Sequence, residues 1–324
     1  MSAVALARRL AVDRPTSGEA LARELGIGRA AVWKRIEALR RMGLAVVAEG
    51  GRGYRLAVAV DWLDADRIRA AIAPAARARL GTLAVHDAVD STMAEVARLA
   101  GDGAPSGSVC LAEHQRAGRG RRGRAWASPL GANLYLSLLW RFEGGLGALA
   151  GLNLAVGVAV REALAECGVG DARLKWPNDV VVEGRKLAGL LVEAGGQWHG
   201  PCHAVIGVGV NWRMPEGAAR AIDQPWTDVA RAGGAVDRNR GAAAVIGALL
   251  DALAAFERAG VGASLDRWHA CDALAGRAIV VHESGRAWAA IARRVEADGR
   301  LVVEREDGAL VALAAAEVRV RPAA

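Results

Sequence analysis

Apolar residues change their spacing along the chain. Over the first forty or so positions they recur at helical intervals. Residues 3–12 (AVALARRLAV) predict a short amphipathic helix stopped by Pro15, Thr16 to Glu19 fits a capping box, and Ala20, Leu21 and Leu25 share one side of the helix that follows. Gly26-Ile27-Gly28 predicts a tight turn into a second helix, Arg29 to Met42. There Ala31, Val32, Ile36 and Leu39 face inward, and Arg29, Trp33, Lys34, Arg40 and Arg41 face outward. Leu44–Val47 and Tyr54–Leu56 then read as two short strands around a basic tip, Glu49-Gly50-Gly51-Arg52-Gly53. The sum is a winged helix-turn-helix pattern.

From Asp61 to Leu80 an Ala- and Arg-rich stretch, broken at Pro74, predicts a linking helix. Residues 83–212 alternate apolar strands (Val109–Ala112, Asn133–Trp140, Val180–Val182, Val205–Val210) with helices (Thr92–Ala100, Leu146–Cys167), the pattern of an α+β domain. The period shortens again over 276–321. Strands at Ile279–His282, Trp288–Val295, Leu301–Glu304 and Leu310–Leu313 are separated by Ser284-Gly285, Asp298-Gly299 and Asp307-Gly308, which predicts a small, separate β-barrel.

At 324 residues, with 53% hydrophobic and 24% charged, the chain is long enough for about two or three domains and far from a disordered composition. Every long apolar run is interrupted by charge or clustered glycine, and Arg8 and Arg9 fall where an export signal needs apolar residues. The expectation is a cytoplasmic protein with no membrane partner. Cys110, Cys167, Cys202 and Cys271 lie too far apart for a metal or redox motif and are expected as buried thiols. The net charge of +7 is uneven: residues 1–60 hold 11 Lys and Arg against 5 Asp and Glu, and the remainder 31 against 30. A basic module on a neutral body points to a polyanion. Together with the helical pattern and the basic tip, it points to DNA, with Arg29, Trp33, Lys34 and Arg40 at the major groove and Arg52 at the backbone or minor groove. A small helical packing module with a solvated face is the alternative.

Candidate chemistry gathers in the middle of the chain. Only Lys34, Lys175 and Lys186 are lysines among 42 basic residues, and a chain that otherwise writes Arg retains Lys where a compact point charge is needed. From Gln115 to Arg124 glycines alternate with guanidinium groups, ahead of Trp126. Such a loop can approach a phosphate closely and grip it with forked donors, although it lacks the GK[ST] of a P-loop. An RNA-binding Arg/Gly tract or a solvated loop has the same composition. Lys175-Trp176-Pro177-Asn178-Asp179 sets a turn that leaves Asn178 and Asp179 at a strand mouth. Then Gly184-Arg185-Lys186-Leu187-Ala188-Gly189 sends a lysine into an apolar strand, with Glu193 beyond. A snorkelling lysine and a turn aspartate are the plainer reading. Asp90-Ser91-Thr92 offers hydroxyls ahead of a helix, as an N-cap or to a small polar ligand.

In order and spacing, Asp90-Ser91-Thr92, Gly118 to Gly123, Lys175 to Asp179, Lys186-Leu187-Ala188-Gly189 and Gly207–Asn211 resemble the motifs of biotin protein ligases. With the winged helix in front, nearly the whole chain resembles the bifunctional bacterial ligases that also repress the biotin operon. The resemblance implies a winged helix-turn-helix over 1–60, a linker helix over 61–80, an α+β biotin/lipoate-ligase-like catalytic domain over 81–272 and an SH3-like β-barrel over 273–324. It implies that biotin and MgATP give biotinyl-5′-adenylate, and that a lysine of the biotin carboxyl-carrier protein of acetyl-CoA carboxylase then takes the biotin. It further implies operator DNA as a partner and a ligand-promoted homodimer.

By the same resemblance Ser91, Thr92 and Gln115 hold the ureido ring, and the Arg119-Gly120-Arg121 segment closes over the adenylate. Lys186 bridges the biotin carboxylate and the α-phosphate, and Trp226 stacks on adenine beside Asn211. Arg122, Trp126, Lys175 and Asn178 complete the nucleotide side, and Mg2+ arrives with ATP rather than on protein ligands. Asp179 is the motif carboxylate nearest to the incoming amine, placed to accept its proton or orient it. One position departs from the family, which commonly has Asn after Ser-Thr where this chain has Met93. A lipoate-type adenylate ligase of the same superfold and a ligand-sensing regulator without catalysis are the competing readings; a cysteine-based acyl transferase is disfavoured because no cysteine falls in the motifs.

Overall fold

The computed structural model describes residues 2–220, 222–283, 286–315 and 318–322. Helix α1 (Ala3–Ala7) is shorter than its periodicity suggests, because Arg8 and Arg9 turn the chain and fold their N–H groups back onto the Val4 and Leu6 carbonyls. The cap of α2 (Gly18–Leu25) is Ser17, whose hydroxyl accepts from the Ala20 N–H at 3.1 Å. Thr16 instead pairs its backbone with Tyr54, so the Thr16–Glu19 box does not form. Gly26 closes α2 in the left-handed region at φ 62°, and α3 (Arg29–Arg41) buries Val32, Ile36 and Leu39 against Leu6, Leu21 and Leu56. Strands β1 (Val46–Glu49) and β2 (Gly53–Leu56) form the antiparallel wing. The first begins later than the sequence suggests, because the Leu44 N–H still serves the end of α3 through the Leu39 carbonyl.

The expected linking helix is a pair of short helices, α4 (Ala65–Ala71) and α5 (Pro74–Arg77), with Pro74 at the start of the second. They do not stand between bodies, since Leu63, Ile68, Ile72 and Ala76 are buried in the central core. That core lies on one face of a sheet built from β3 (Leu83–His86), β4 (Ser108–Ala112), β5 (Leu134–Phe142), β6 (Arg173–Lys175), β7 (Asp179–Val182), β8 (Arg185–Gly196) and β9 (Cys202–Val210). Their spatial order is β3-β4-β5-β9-β8-β7-β6, with β3–β4 parallel and the other neighbours antiparallel. Helix α6 (Thr92–Gly101) follows β3. The apolar run 146–167 is split: a 3-10 turn over Leu146–Leu149, a left-handed Gly151 at φ 78°, then α7 (Leu152–Glu166). Beyond the sheet come α8 (Glu216–Ala219), α9 (Arg238–Ala259) and α10 (Gly262–Cys271).

Alternation along the central strands decides where a site can lie. On β5 Leu134, Leu136 and Leu138, and on β9 Ala204, Ile206 and Val208, point into the core shared with α7 and α9. Their neighbours Leu139 and Val205 point the other way, where Met93, Val96 and Ala100 of α6 cover part of the surface. The rest of that second face is left for a ligand.

At the C-terminus β10 (Ala278–Glu283), β11 (Arg286–Val295), β12 (Leu301–Glu304), β13 (Leu310–Leu313) and β14 (Val318–Pro322) run in the order β13-β12-β11-β10-β14. Among the described residues the end strands β13 and β14 do not pair, so the sheet is open. It is not separate either: Ile279, Val281, Ala292, Val303 and Leu313 join the central core. Short strands with one apolar face must bury it, and the central body supplies the cover. The Ser284-Gly285 turn signal lies outside the described residues. Cys110, Cys167 and Cys202 are buried and Cys271 is half-buried, with burial pushing the Cys110 thiol up to about 12. Among the described residues no helix is long and apolar enough to cross a membrane.

Candidate active site

A cavity of about 340 Å³ opens on the second face of the sheet. Its floor is bare backbone. Gly189 of β8 and Gly209 of β9 face each other in register, and a Cβ at Gly209 would lie 2.5 Å from the Trp126 ring and one at Gly189 2.8 Å from it. A Cβ at Gly207 would lie 2.6 Å from the Met93 sulfur. Glycine here serves close approach, which lets an indole and a thioether line the floor.

One end of the cavity is a chain of hydroxyl and amide groups. The Gln115 side-chain oxygen accepts from the Thr92 N–H at 2.9 Å and from Thr92 Oγ1 at 3.2 Å, and its amide donates to Ser128 Oγ at 3.2 Å. Thr92 Oγ1 and Ser137 Oγ are 2.8 Å apart. Ser91 starts α6 without a side-chain capping bond, which leaves its hydroxyl on the cavity wall. Gly118 keeps the chain tight, since a Cβ there would lie 2.8 Å from both Gln115 Nε2 and Ser128 Oγ.

The other end is cationic. Alternation in β8 would aim Lys186 into the core, but a bulge opposite Val180/Val181 breaks the register, and the adjacent Leu187 and Ala188 both point coreward. Lys186 therefore turns to the cavity. Its Nζ is 2.7 Å from Asp179 Oδ1 and 5.4 Å from the Trp126 ring centre, with the two charged side chains only 12% and 19% exposed. Arg121 donates to Asn178 Oδ1 at 3.4 Å and to the Ala315 carbonyl of the C-terminal unit. Burial pushes its guanidinium below the ordinary range, Arg122 and Arg124 push the same way, and Asp179 opposes them. Asn178 is itself pinned, donating to the Leu190 carbonyl at 2.6 Å.

Trp226 reaches the cavity through a backbone zip along the start of β8. Lys186 N–H donates to the Pro225 carbonyl at 2.9 Å, and Thr227 N–H returns to the Lys186 carbonyl at 2.9 Å. The Asn211 amide donates to the Thr227 carbonyl at 3.0 Å, so this side chain also holds the Trp226 segment in place. The Arg/Gly segment closes as a small loop, with Gly120 N–H on the Arg124 carbonyl at 2.7 Å and Trp126 N–H on the Gly118 carbonyl at 2.8 Å. At its tip Arg122 sits in the left-handed region at φ 57°.

Of the residues singled out in the sequence, Ser91, Thr92, Met93 and Gln115 line the cavity together with Arg119, Gly120, Arg121 and Trp126. Asn178, Lys186, Asn211 and Trp226 complete the set. Arg122, Lys175 and Asp179 are not on its wall. Arg122 is exposed at the loop tip, Lys175 stands opposite Asp179 in the β6–β7 register, and Asp179 bears on the cavity through Lys186 and through its charge on Arg121. Sequence reasoning missed Ser128 and Ser137. The latter had a signal, a lone hydroxyl inside the apolar strand that became β5. It also missed Glu113, fully buried and 2.6 Å from Arg238, with Leu63 N–H on its other oxygen at 2.6 Å.

On the winged unit Arg29, Trp33 and Lys34 are exposed along α3, Trp33 by 56%. Arg40 is held back. It donates to the Val46 carbonyl at 3.0 and 3.2 Å and to Glu37 at 2.7 Å, which clamps helix to wing. Arg52 stays exposed at the wing tip, 3.2 Å from Glu49. Arg8 ties this unit to the body through Asp87 at 3.3 Å, and the Leu130 N–H donates to the Met42 carbonyl at 2.8 Å.

Profiles of two families match the chain: the Biotin/lipoate A/B protein ligase family over residues 85–211 and an HTH domain over residues 2–55. The chain has the fold of a biotin protein ligase from Aquifex aeolicus solved with biotin and ATP, with a TM-score of 0.62 and 24% identity over 75% of this chain and 99% of that one. The bifunctional ligase/repressor BirA of Escherichia coli strain K12 is 38% identical over 95% of this chain and 93% of its own length. Since the corresponding protein of Salmonella typhimurium is 39% identical over the same shares of both chains, the chain belongs to the bifunctional ligase/repressor BirA family.

Proposed function

We propose that the chain is an ATP-dependent biotin protein ligase that also represses transcription. The observation that carries the reading is a single cavity with a prearranged hydroxyl–amide end, a thioether and an indole on a glycine floor, and an oriented ammonium at the far end. This suits a small acid with a polar ring at one end and a carboxylate at the other.

In the first step a biotin carboxylate oxygen attacks the α-phosphorus of ATP, and the bond to the β-phosphate bridging oxygen breaks to release pyrophosphate. Two anions meet, so the barrier falls where fixed cations face the developing charge. Lys186 supplies one and Arg121 and Arg119 of the flap supply others. Ser91, Thr92 and Gln115 orient the ureido ring, Met93 packs beside it, and Gly120 lets the flap backbone approach. Trp226 stacks on adenine, while Asn211 and Asn178 hold the surrounding backbone. In the second step the ε-amine of a carrier lysine attacks the acyl carbon, AMP leaves and the amine loses a proton. Asp179, bound to Lys186, serves as its positioning residue and is the nearest carboxylate to the incoming amine.

Mg2+ is proposed to arrive with ATP on the nucleotide phosphates, where it would offset their charge. The acceptor is the biotin carboxyl-carrier protein of acetyl-CoA carboxylase, in keeping with the name of a relative from Paracoccus denitrificans, a biotin–[acetyl-CoA-carboxylase] ligase 45% identical over 38% of this chain. Residues 1–60 serve as the operator-binding unit, 81–272 as the catalytic unit with 61–80 packed on it, and 273–324 as an SH3-like unit. The adenylate-loaded chain acts on DNA as a homodimer.

Incubation with biotin, ATP labelled on the α-phosphate and a carrier domain is expected to yield both labelled adenylate and biotinylated carrier. Lipoate in place of biotin is expected to yield neither. Footprinting with biotin and ATP is expected to reveal a two-fold protected site. Failure to release pyrophosphate with biotin overturns the enzyme reading, and absence of a footprint overturns repression alone.

A further inference from the structure

One face of the Trp226 ring is covered by Arg231, whose guanidinium carbon lies 4.2 Å from the ring centre, and Trp226 lines the cavity while Arg231 does not. Three tethers keep it there. Its backbone N–H donates to Asp228 Oδ1 at 2.7 Å, its Nε is 3.6 Å from Asp228 Oδ2, and its guanidinium pairs with Glu216 of α8. Asp228 is itself buried and fixed, since its Oδ2 accepts from the Met214 N–H at 3.0 Å. A half-exposed arginine gains little from such tethers in stability. They do fix a planar cation on one face of an aromatic ring whose segment lines a ligand cavity.

We propose that Arg231 is a positioning residue for the nucleotide, the outer layer of a stack in which Trp226 is the middle and adenine the inner layer. The inference rests on the assignment of Trp226 to adenine under the proposed function. An indole at a cavity mouth has rotational freedom that binding must remove, and an arginine already stacked on its outer face removes that freedom in advance. Through Glu216 the same guanidinium ties α8 to Trp226.

The test is a double-mutant cycle on steady-state pyrophosphate release, with ATP and biotin varied separately. Arg231→Ala is expected to raise KM for ATP about 3- to 30-fold, the range of a cation–π contact, while kcat and KM for biotin stay at their wild-type values. Arg231→Lys, which retains the charge without the planar face, is expected to fall between. In a Trp226→Ala background, replacing Arg231 is expected to add nothing. An equal rise in KM for ATP in both backgrounds would mean that the charge acts on phosphate directly, and the proposal fails. It fails equally if Arg231→Ala raises both KM values or leaves ATP binding untouched while Trp226→Ala weakens it. If Trp226→Ala alone leaves KM for ATP unchanged, the adenine assignment falls first and the role of Arg231 falls with it.

Discussion

Replacing Lys186 by Met keeps the aliphatic stem and removes one charge from the cavity wall where, under the proposed function, two anions meet. A phosphate oxygen brought to about 4 Å from an ammonium, at an effective dielectric of about 20, gains about 4 kcal/mol. Asp179 already holds that ammonium at 2.7 Å, so part of the field is spent on the neighbour and only the remainder responds to the transition state. Loss of one prearranged electrostatic donor typically costs about 2.7–4 kcal/mol, or about 10²–10³ in kcat. We expect a loss of that size in adenylation, read as biotin-dependent pyrophosphate release. Transfer from chemically prepared adenylate to a carrier domain, read in a single turnover, should fall less because the anhydride is already made. Asp179→Asn separates two roles for the carboxylate. A positioning role slows adenylation by about tenfold through the misplaced ammonium, whereas an acceptor role slows transfer alone. A Lys186→Met enzyme that forms the adenylate at the wild-type rate refutes the electrostatic argument.

Other consequences are open to direct measurement. Met93→Asn restores the family residue beside the ring pocket and should tighten the biotin Kd by about 2- to 10-fold through one hydrogen bond, with activity retained; an unchanged Kd contradicts the placement. Arg238→Met strips buried Glu113 of its 2.6 Å guanidinium, leaving the Leu63 N–H at 2.6 Å and Arg8 at 3.8 Å, and should cost about 3–5 kcal/mol in urea unfolding, most of it recovered when Glu113→Gln is added. His114 lies 2.6 Å from the Ser128 carbonyl, and burial pushes its imidazole below the ordinary value. On acidification the unfolded chain takes up that proton first, so stability is full above about pH 7 and falls as pH drops through about 6.5 toward the lower folded value. His114→Gln should flatten this stretch of the stability curve, and an unchanged slope excludes the site. Trp33→Ala removes an exposed indole from α3 without removing charge. It should weaken operator binding by about 5- to 100-fold while leaving the salt dependence of binding as it was.

Which parts of the site the sequence revealed follows from how far apart in the chain their causes lie. Ser91, Thr92 and the Arg/Gly segment stood out because each sits in a turn or helix start specified within a few residues, whereas Gln115 was given its role only through the family resemblance, its partners Thr92 and Ser128 lying 23 and 13 residues away. The winged unit was legible for a similar reason: its helices and its wing each follow from local periodicity and turn residues. Lys186 was legible as an anomaly, a lone lysine in an apolar strand, but its aim was not. That depends on a bulge between β7 and β8, and register is a property of two strands rather than one. The same limit hid Ser137, which matters only because Thr92 stands 2.8 Å from it across 45 residues, and Glu113, whose partner is 125 residues away. It also made the C-terminal strands look like a free-standing barrel. Their alternation specifies one apolar face but not what covers it, and here the cover is the central core. Local pattern therefore chose the functional groups, and pairing between distant strands decided how they point. Lys186, proposed to face the reacting anions, belongs to the second category. This is why insertion of one residue between Val180 and Val181, which leaves every motif intact but gives Leu187 a partner on β7 and so removes the bulge, should abolish adenylation by returning Lys186 to the core face.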